Sequence, residues 1–339
     1  MVNQYVTGTI FCAGGNERGV ADNTSEYYDW PNQKWKQAAA MKRKRSDFGL
    51  ASAHGKVFAI GGWTDFGKRL SSVEVYDPEK DRWRRCSSMC ISRSQVAASQ
   101  CHCDGSIYAI GGESRGNVAK RCVERFDAHT NCWTKGPKMH ERRWSACSCS
   151  RKEDGCLYVL GGYDESNGGA MASCERYDPR TGQWMKISSM GQKRCGAAVA
   201  VLEDGNIYVV GGTNEKMAQL ATGECYNPRA DRWEALASMK YSRNFFGVAP
   251  FDGGRLLYAI GGADVVEIYN PRTCKWSVSQ VQLGRKRSRH AVVWCDWTWE
   301  SLSDCEIADW ESPRDEESSV EMGDKTEEQT DNSDSSMQF

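Results

Sequence analysis

The chain has 339 residues, of which 26% are charged and 40% hydrophobic, and its formal net charge is −1. This composition is typical of a globular protein with one large domain. No stretch approaches the ~18 apolar residues of a membrane-spanning helix, and the N-terminus lacks the basic and apolar regions of a secretory signal. We therefore expect a soluble protein of the cytosol or the nucleus, with its 16 cysteines as reduced thiols.

Double glycines divide the chain into units. The first pair is Gly14-Gly15, the second follows after 47 residues at Gly61-Gly62, and later pairs follow at steps of 50. The remaining pairs are Gly111-Gly112, Gly161-Gly162, Gly211-Gly212 and Gly261-Gly262. A period near 50 residues predicts a repeat architecture of six units.

The second half of each unit is more regular than the first. An aromatic residue stands seven positions before a tryptophan in every copy, as in Tyr76 and Trp83, and a glutamate, here Glu74, precedes the aromatic residue by two. The pairs are Tyr28/Trp35, Tyr76/Trp83, Phe126/Trp133, Tyr177/Trp184, Tyr226/Trp233 and Tyr269/Trp276. An arginine opens each unit, for which we take Arg45, Arg93, Arg142, Arg194, Arg243 and Arg287. Residues present in every copy cannot specify one partner, so we interpret the arginines and glutamates as structural ion pairs or hydrogen bonds and the aromatic pairs as packing between units.

Each unit is predicted to form four short strands. In the third unit these are about residues 95–101, 107–110 and 123–126, with the fourth around Trp133. Asp104-Gly105 is a hairpin turn, and we expect the glycine pair to allow close backbone approach near the axis of the molecule. Similar turns stand at His54-Gly55, Asp154-Gly155, Asp204-Gly205 and Asp252-Gly253.

The two ends of the repeat region complement each other. The chain starts at a second strand, residues 9–13, and the pattern of a first strand returns at residues 287–294. We therefore predict a circular closure in which the late strand completes the first unit and removes an open sheet edge.

Beyond residue 295 the composition changes. Residues 296–339 hold fifteen acids against Arg314 and Lys325, a net charge of −13, which leaves +12 for residues 1–295. A segment with so many charged residues and few β-branched residues is expected to be disordered. We thus predict two parts: an all-β, six-bladed propeller over residues 1–295 and an acidic disordered tail over residues 296–339.

The spacing of the glycine pairs, aromatic residues and tryptophans resembles the kelch repeat. The repeats are most similar to the propellers of BTB-BACK-kelch proteins, and the resemblance covers residues 6–294. Members of that family are commonly substrate adaptors of cullin-type ubiquitin ligases, in which the propeller holds the substrate. The BTB and BACK domains are not expected in this chain, because the first blade starts within its first ten residues.

Strand direction predicts where the variable loops lie. If first strands run downward, the segments after the glycine pairs and the linkers between units share the upper face. Loops on a rigid frame carry binding, and aromatic and arginine residues dominate binding hot spots. The candidate partner-binding residues are therefore Ser46, Trp63, Arg69, Ser94, Arg115, Arg143, Trp144, Tyr163, Asn244, Phe245, Ser288 and Arg289. Packing between neighbouring loops is the alternative role for the aromatic residues and Arg143.

The sequence favours a protein-interaction module without enzymatic activity, cofactor or metal. Its five histidines are not spaced as metal ligands. Cys101-His102-Cys103 and Cys147-Ser148-Cys149 could ligate zinc or sense oxidants, but the second cysteine pair lies in a predicted first strand, where buried small thiols are the favoured interpretation. We expect a protein partner, with ligase components or actin as candidates, and neither nucleic acid nor membrane. An actin-associated scaffold and a kelch-fold enzyme with a bound metal stay open as alternatives.

Overall fold

The computed structural model describes residues 8–17, 19–114, 116, 118–279 and 289–295. Six four-stranded antiparallel sheets account for nearly all of this structure. They are the blades of a propeller, which confirms the predicted all-β class with six blades.

The strands of each blade are given from the innermost to the outermost. Blade 1 has Ala291–Cys295, Thr9–Ala13, Ser25–Asp29 and Lys34–Ala38. Blade 2 has Gly49–Ala53, Lys56–Ile60, Val73–Asp77 and Arg82–Cys86. Blade 3 has Ala97–Gln100, Ile107–Ile110, Val123–Asp127 and Cys132–Gly136.

The second half of the propeller repeats this order. Blade 4 has Cys147–Ser150, Leu157–Leu160, Cys174–Asp178 and Gln183–Ile187. Blade 5 has Ala198–Val201, Ile207–Val210, Gly223–Asn227 and Arg232–Ala235. Blade 6 has Gly247–Phe251, Leu256–Ile260, Glu267–Asn270 and Lys275–Val278.

Blades 1, 3 and 4 each carry one additional short hairpin. They pair Asn16–Glu17 with Val20–Ala21, Glu113–Ser114 with Val118–Ala119, and Tyr163–Asp164 with Gly169–Ala170. A 3-10 turn, Glu165–Asn167, lies between Tyr163–Asp164 and Gly169–Ala170. No helix in the described part of the chain is long and apolar enough to cross a membrane.

The predicted circular closure is confirmed. Thr9–Ala13 pairs antiparallel with Ala291–Cys295 in a register that joins Phe11 to Val293. The innermost strands contact one another in a closed ring from blade to blade, and Ala291–Cys295 lies between the first strands of blades 2 and 6. The sheet edge that Thr9–Ala13 would otherwise present is therefore covered.

Buried ion pairs tie each linker to the next blade, as the repeated arginines and glutamates predict. Arg45, Arg143, Arg194 and Arg243 lie 2.7 to 3.1 Å from Glu74, Glu175, Glu224 and Glu267, and Arg93 pairs with Glu124. The same glutamates accept backbone N–H groups of the linkers, for example those of Lys42 and Arg43. A buried charge pair of this kind is costly to break on one side only.

The prediction is wrong for one arginine of the repeat. The residue at the buried position of blade 4 is Arg143 and not Arg142: its Nη1 donates to the Gly161 carbonyl at 2.7 Å, and Arg142 is half-buried at the surface. The other linkers show the reason, because in each of the five described linkers the buried arginine stands four residues after a buried methionine, here Met139.

The aromatic pairs join neighbouring blades, as predicted. Phe11 of blade 1 packs with Tyr76 and Trp83 of blade 2 at ring distances of 4.8 and 6.1 Å. In blades 2 to 6 the indole N–H donates to a carbonyl of the preceding blade at 2.7 to 2.9 Å. These contacts make the interfaces between blades the hydrophobic core of the molecule.

The glycine pairs do allow a close approach, but its partner is the next linker rather than the propeller axis. A Cβ on Gly61, whose φ is +65°, would lie 2.5 Å from the Arg93 carbonyl oxygen. The pair stands at the end of a second strand, so the linker that follows the blade crosses directly over it. The predicted Asp-Gly and His-Gly turns are confirmed by positive φ at all five glycines.

The acidic segment 296–339 lies outside the described residues, so its predicted disorder stays a prediction. Ser288 and Arg115, two of the candidate binding residues, are outside them as well.

Candidate partner-binding face

The upper face is formed by the segments after the glycine pairs and by the linkers between blades. These two sets touch through backbone pairing at equivalent positions. Ser46 pairs with Trp63, and its amide donates to the Trp63 carbonyl at 3.0 Å. The other pairs are Ser94 with Glu113, Trp144 with Tyr163, and Cys195 with Thr213. The two loop sets predicted to share a face are therefore in contact on it.

A closed ring of backbone hydrogen bonds surrounds the upper mouth of the central channel. Each linker donates one N–H to the carbonyl of the preceding linker, over distances of 2.6 to 3.3 Å. The members are Asp47, Gln95, Ser145, Gly196, Phe245 and Arg289, with φ between 47° and 62°. Five are not glycine, and a left-handed conformation costs such a residue about 1 kcal/mol or more. The fold therefore fixes the backbone positions from which the five side chains extend.

The side chains of this ring divide the mouth into chemically different parts. The Arg289 guanidinium lies 3.0 Å from the Asp47 carboxylate and 4.9 Å above the Phe245 ring. Burial raises the pKa of the Asp47 carboxyl, while Arg289 opposes that rise. On the other side, Ser145 donates to Gln95, whose amide donates to Glu113 at 2.9 Å. The mouth thus offers one half-exposed cation and one aromatic ring to a partner.

Two further predicted residues, Trp63 and Arg69, form one unit. The Arg69 guanidinium lies 4.2 Å over the Trp63 ring and 2.7 Å from Glu113 of blade 3. The side chain of Arg69 is only 11% exposed. Its charge is therefore compensated inside the face, and Arg69 serves to hold the loop of blade 2 in place.

The predicted residues Trp144 and Tyr163 pack against each other with tilted rings and ring centroids 4.5 Å apart. Both are half-buried, so the pair combines loop packing with an exposed aromatic edge. Asn244 accepts a hydrogen bond from Gln219 at 3.1 Å, between the loop of blade 5 and the next linker. These residues stay candidates for contact with a partner.

Burial removes three predicted residues from the site. Arg143 is 1% exposed and its guanidinium is bound to Glu175 and to carbonyls, so its prediction as a partner contact is wrong. Ser46 and Ser94 are 5% and 0% exposed. Their backbone pairs hold the loops, and their side chains are not available on the surface.

The exposed apolar residues of the upper face are not among the residues predicted from the sequence. Among the described residues, seven large hydrophobic side chains are exposed, and five of them stand on the upper face: Val20, Phe66, Val118, Met217 and Tyr241. Phe66 is 95% exposed. The other two, Met185 and Val278, lie on outermost strands. For the four upper-face residues that follow glycine pairs, the length of the insertions was the available signal, since longer loops carry their middle residues away from the frame; Tyr241 lies in a linker instead.

Two cavities occupy the central channel. One of about 720 Å³ is lined by the lower turns, including His54, His102 and Lys152, and one of about 190 Å³ lies beneath the ring of the upper mouth. No group of three histidine, cysteine or acidic side chains in the described residues is placed to hold a metal ion. No disulfide joins the fifteen cysteines of the described residues, and burial raises the pKa of Cys147 to about 12.

Comparison with known proteins gives the family. Residues 10–266 match the family model described as Attractin/LZTR1 beta-propeller. F-box/kelch-repeat protein At2g44130 of Arabidopsis thaliana is 36% identical over 91 residues, which is 26% of this chain and 22% of that protein. Kelch-like protein 11 of Homo sapiens is 33% identical over 79 residues (23% and 11%), and Kelch-like protein 36 of Bos taurus is 41% identical over 81 residues (22% and 13%).

Each of these matches covers no more than 22% of the relative's own length. Kelch-repeat propellers typically bind protein partners and serve as interaction modules or substrate adaptors rather than as enzymes. The family match spans blades 2 to 5 completely, three of the four strands of blade 1 and two of the four strands of blade 6. This chain therefore belongs to the Attractin/LZTR1 beta-propeller family.

Proposed function

We propose that this propeller binds a protein partner through its upper face. The observation that carries the proposal is the distribution of exposed apolar side chains: five of the seven stand on the upper face, and none in the described residues stands in a lower turn. Single exposed hydrophobic residues are ordinary, but their concentration on one face is typical of an interaction surface.

The channel mouth adds to this surface. Phe245 and Arg289 are held by a rigid backbone ring, and the half-buried Trp144 and Tyr163 stand in the same face. Aromatic and arginine residues with a fixed backbone lose little conformational freedom when they bind. These features favour recognition of a defined segment of a partner protein.

The finer role that we propose is substrate recruitment for a ubiquitin ligase. Support comes from the resemblance to BTB-BACK-kelch adaptors and from relatives named F-box/kelch-repeat and Kelch-like proteins. The propeller would hold the substrate, and the ligase contact would lie outside residues 8–295. We place this role in a reducing compartment, the cytosol or the nucleus, because no disulfide joins the cysteines of the described residues.

The face assignment is tested by capture of partners from cell extract with the full chain. One variant replaces three upper tips (Phe66→Ser, Met217→Ser and Tyr241→Ser), and a matched variant replaces the exposed residues of the outermost strands (Met185→Ser and Val278→Ser). We expect the first to lose captured partner at least about tenfold and the second to match the wild type, with both melting near the wild-type temperature. Equal capture by the two variants would contradict the proposal.

A further inference from the structure

Five linkers of the propeller share one frame and differ in what they display. Each described linker has a buried methionine, three variable residues and a buried arginine, as in Met41 to Arg45. The variable triplets, from the linker after blade 1 to the linker after blade 5, are Lys-Arg-Lys, Cys-Ile-Ser, His-Glu-Arg, Gly-Gln-Lys and Lys-Tyr-Ser. The linker between blades 1 and 2 is thus the one described linker with three cationic side chains.

This linker presents its charges on a fixed backbone. The Lys42 and Arg43 amides donate to the two oxygens of Glu74 at 2.6 and 3.1 Å, and the Arg45 side chain is fully buried. Lys42, Arg43 and Lys44 are all exposed. Within the described residues Lys44 alone of the three has an acidic partner, Asp65 at 3.5 Å. The linker therefore carries uncompensated positive charge on a rigid support.

An exposed aromatic tip adjoins these charges. Asp65, the partner of Lys44, precedes Phe66 at the tip of the blade 2 loop, where Phe66 is 95% exposed and Lys68 is exposed too. A tight turn closes the tip, with the Gly67 amide bonded to the Thr64 carbonyl at 3.1 Å. The backbone pair of Ser46 with Trp63 joins the loop to the linker. We refer to Lys42, Arg43, Lys44, Phe66 and Lys68 as the basic-aromatic patch.

We propose that the basic-aromatic patch binds an acidic, extended segment of a partner protein that carries an apolar or aromatic side chain. This inference rests on the proposed function and specifies the chemistry of its partner. Four cations of one sign attract and orient an acidic segment, while contact with Phe66 removes apolar surface from water. The patch is separate from the channel mouth, where Arg289 is compensated by Asp47.

The charges on the rest of the upper face argue against a flat anionic surface, such as a membrane, as the ligand of the basic-aromatic patch. Exposed acids stand at the loop tips of other blades, namely Glu165 in blade 4, Glu215 in blade 5 and Asp264 in blade 6. A lipid bilayer resting on the face would bring these acids against anionic headgroups. A narrow peptide segment contacts the patch alone and avoids them.

The test uses the full chain and a fluorescein-labelled peptide of twelve residues, glutamate and glycine around one central tryptophan, read by fluorescence anisotropy. We expect the triple variant Lys42→Glu, Arg43→Glu and Lys44→Glu to weaken binding at least about tenfold. The matched variant Lys193→Glu, Lys216→Glu and Lys240→Glu makes the same change of net charge at other positions of the upper face. Its affinity for the peptide should stay within about twofold of that of the wild type. Unchanged melting temperatures confirm that both variants fold.

The aromatic contact has its own control. A peptide with alanine in place of tryptophan should bind the wild type about five- to tenfold more weakly, and Phe66→Ala should remove most of that difference. Equal weakening by the two charge-reversal variants, no binding of the acidic peptide to the wild type, or binding instead to vesicles of phosphatidylcholine and phosphatidylserine would overturn the proposal. If partner capture still depends on Met217 and Tyr241 in that case, the proposed function stands without this patch.

Discussion

Adjacent residues of the linkers have two different roles: one is buried and structural, and the other lies at the surface. Within each described linker the arginine is buried and holds the next blade, and the residue before it is exposed or half-buried. Arg142 and Arg143 show the contrast most clearly, because they are chemically identical and adjacent. Their different burial makes them a matched pair for measuring what the repeated ion pair contributes to stability.

Replacing Arg143 with methionine should destabilise the fold by about 3–5 kcal/mol, because Glu175 is left as a buried carboxylate without its cation. Arg142→Met should change the free energy of unfolding by about 0.5 kcal/mol or less, as surface substitutions usually do. Urea unfolding of the two variants measures the difference. Equal destabilisation would show that the buried pair does not hold the linker.

Glycine 61 tests the close approach of linker and blade. Gly61→Ala and Gly182→Ala both place alanine at a similar positive φ, +65° and +68°, but a Cβ at Gly182 meets nothing within 4 Å. We expect the Gly61 variant to lose about 1–3 kcal/mol more than the Gly182 variant, because its Cβ meets the Arg93 carbonyl. Thermal unfolding monitored by circular dichroism gives both values, and similar losses would mean that the linker moves aside freely.

At the scale of strands and blades, the sequence predicts the frame well because the same spacing recurs six times. The second strand Ile107–Ile110 was predicted at its observed bounds, whereas the first strand was predicted from residue 95 and begins at Ala97. The difference has a physical cause. Gln95 takes a left-handed conformation and joins the backbone ring at the channel mouth. That ring consists of hydrogen bonds between linkers, so the local propensities of the residues do not predict it.

The closing strand Ala291–Cys295 is the element whose loss should matter most. A chain ending at residue 283 lacks the partner of Thr9–Ala13 and exposes the buried Phe11 and a sheet edge, so we expect aggregation or a large loss of stability. A chain ending at residue 303 keeps the strand and should melt like the full protein. Light scattering and thermal melts compare the two, and a soluble, cooperatively melting chain ending at residue 283 would refute closure by this strand.

For the whole molecule, the sequence predicts which face carries the loops that differ between blades, but not which side chains on that face are exposed. Strand direction alone places the loops after the glycine pairs and the linkers on one face, and their backbone pairing confirms that arrangement. Whether Trp144 faces solvent or packs against Tyr163 depends on contacts between segments some 20 residues apart, which no local pattern encodes. The same holds for Arg69, whose charge is neutralised by Glu113 of the next blade.

Site-specific photocrosslinking tests the central claim, recognition of a protein partner by the upper face. A photoreactive phenylalanine derivative would replace Phe66 or Met217 at upper tips, and His129 or Arg229 at lower turns, all of them exposed. We expect that, in cell extract, covalent adducts with a captured partner form from positions 66 or 217 and not from positions 129 or 229. Adducts that form only from the lower positions would contradict it.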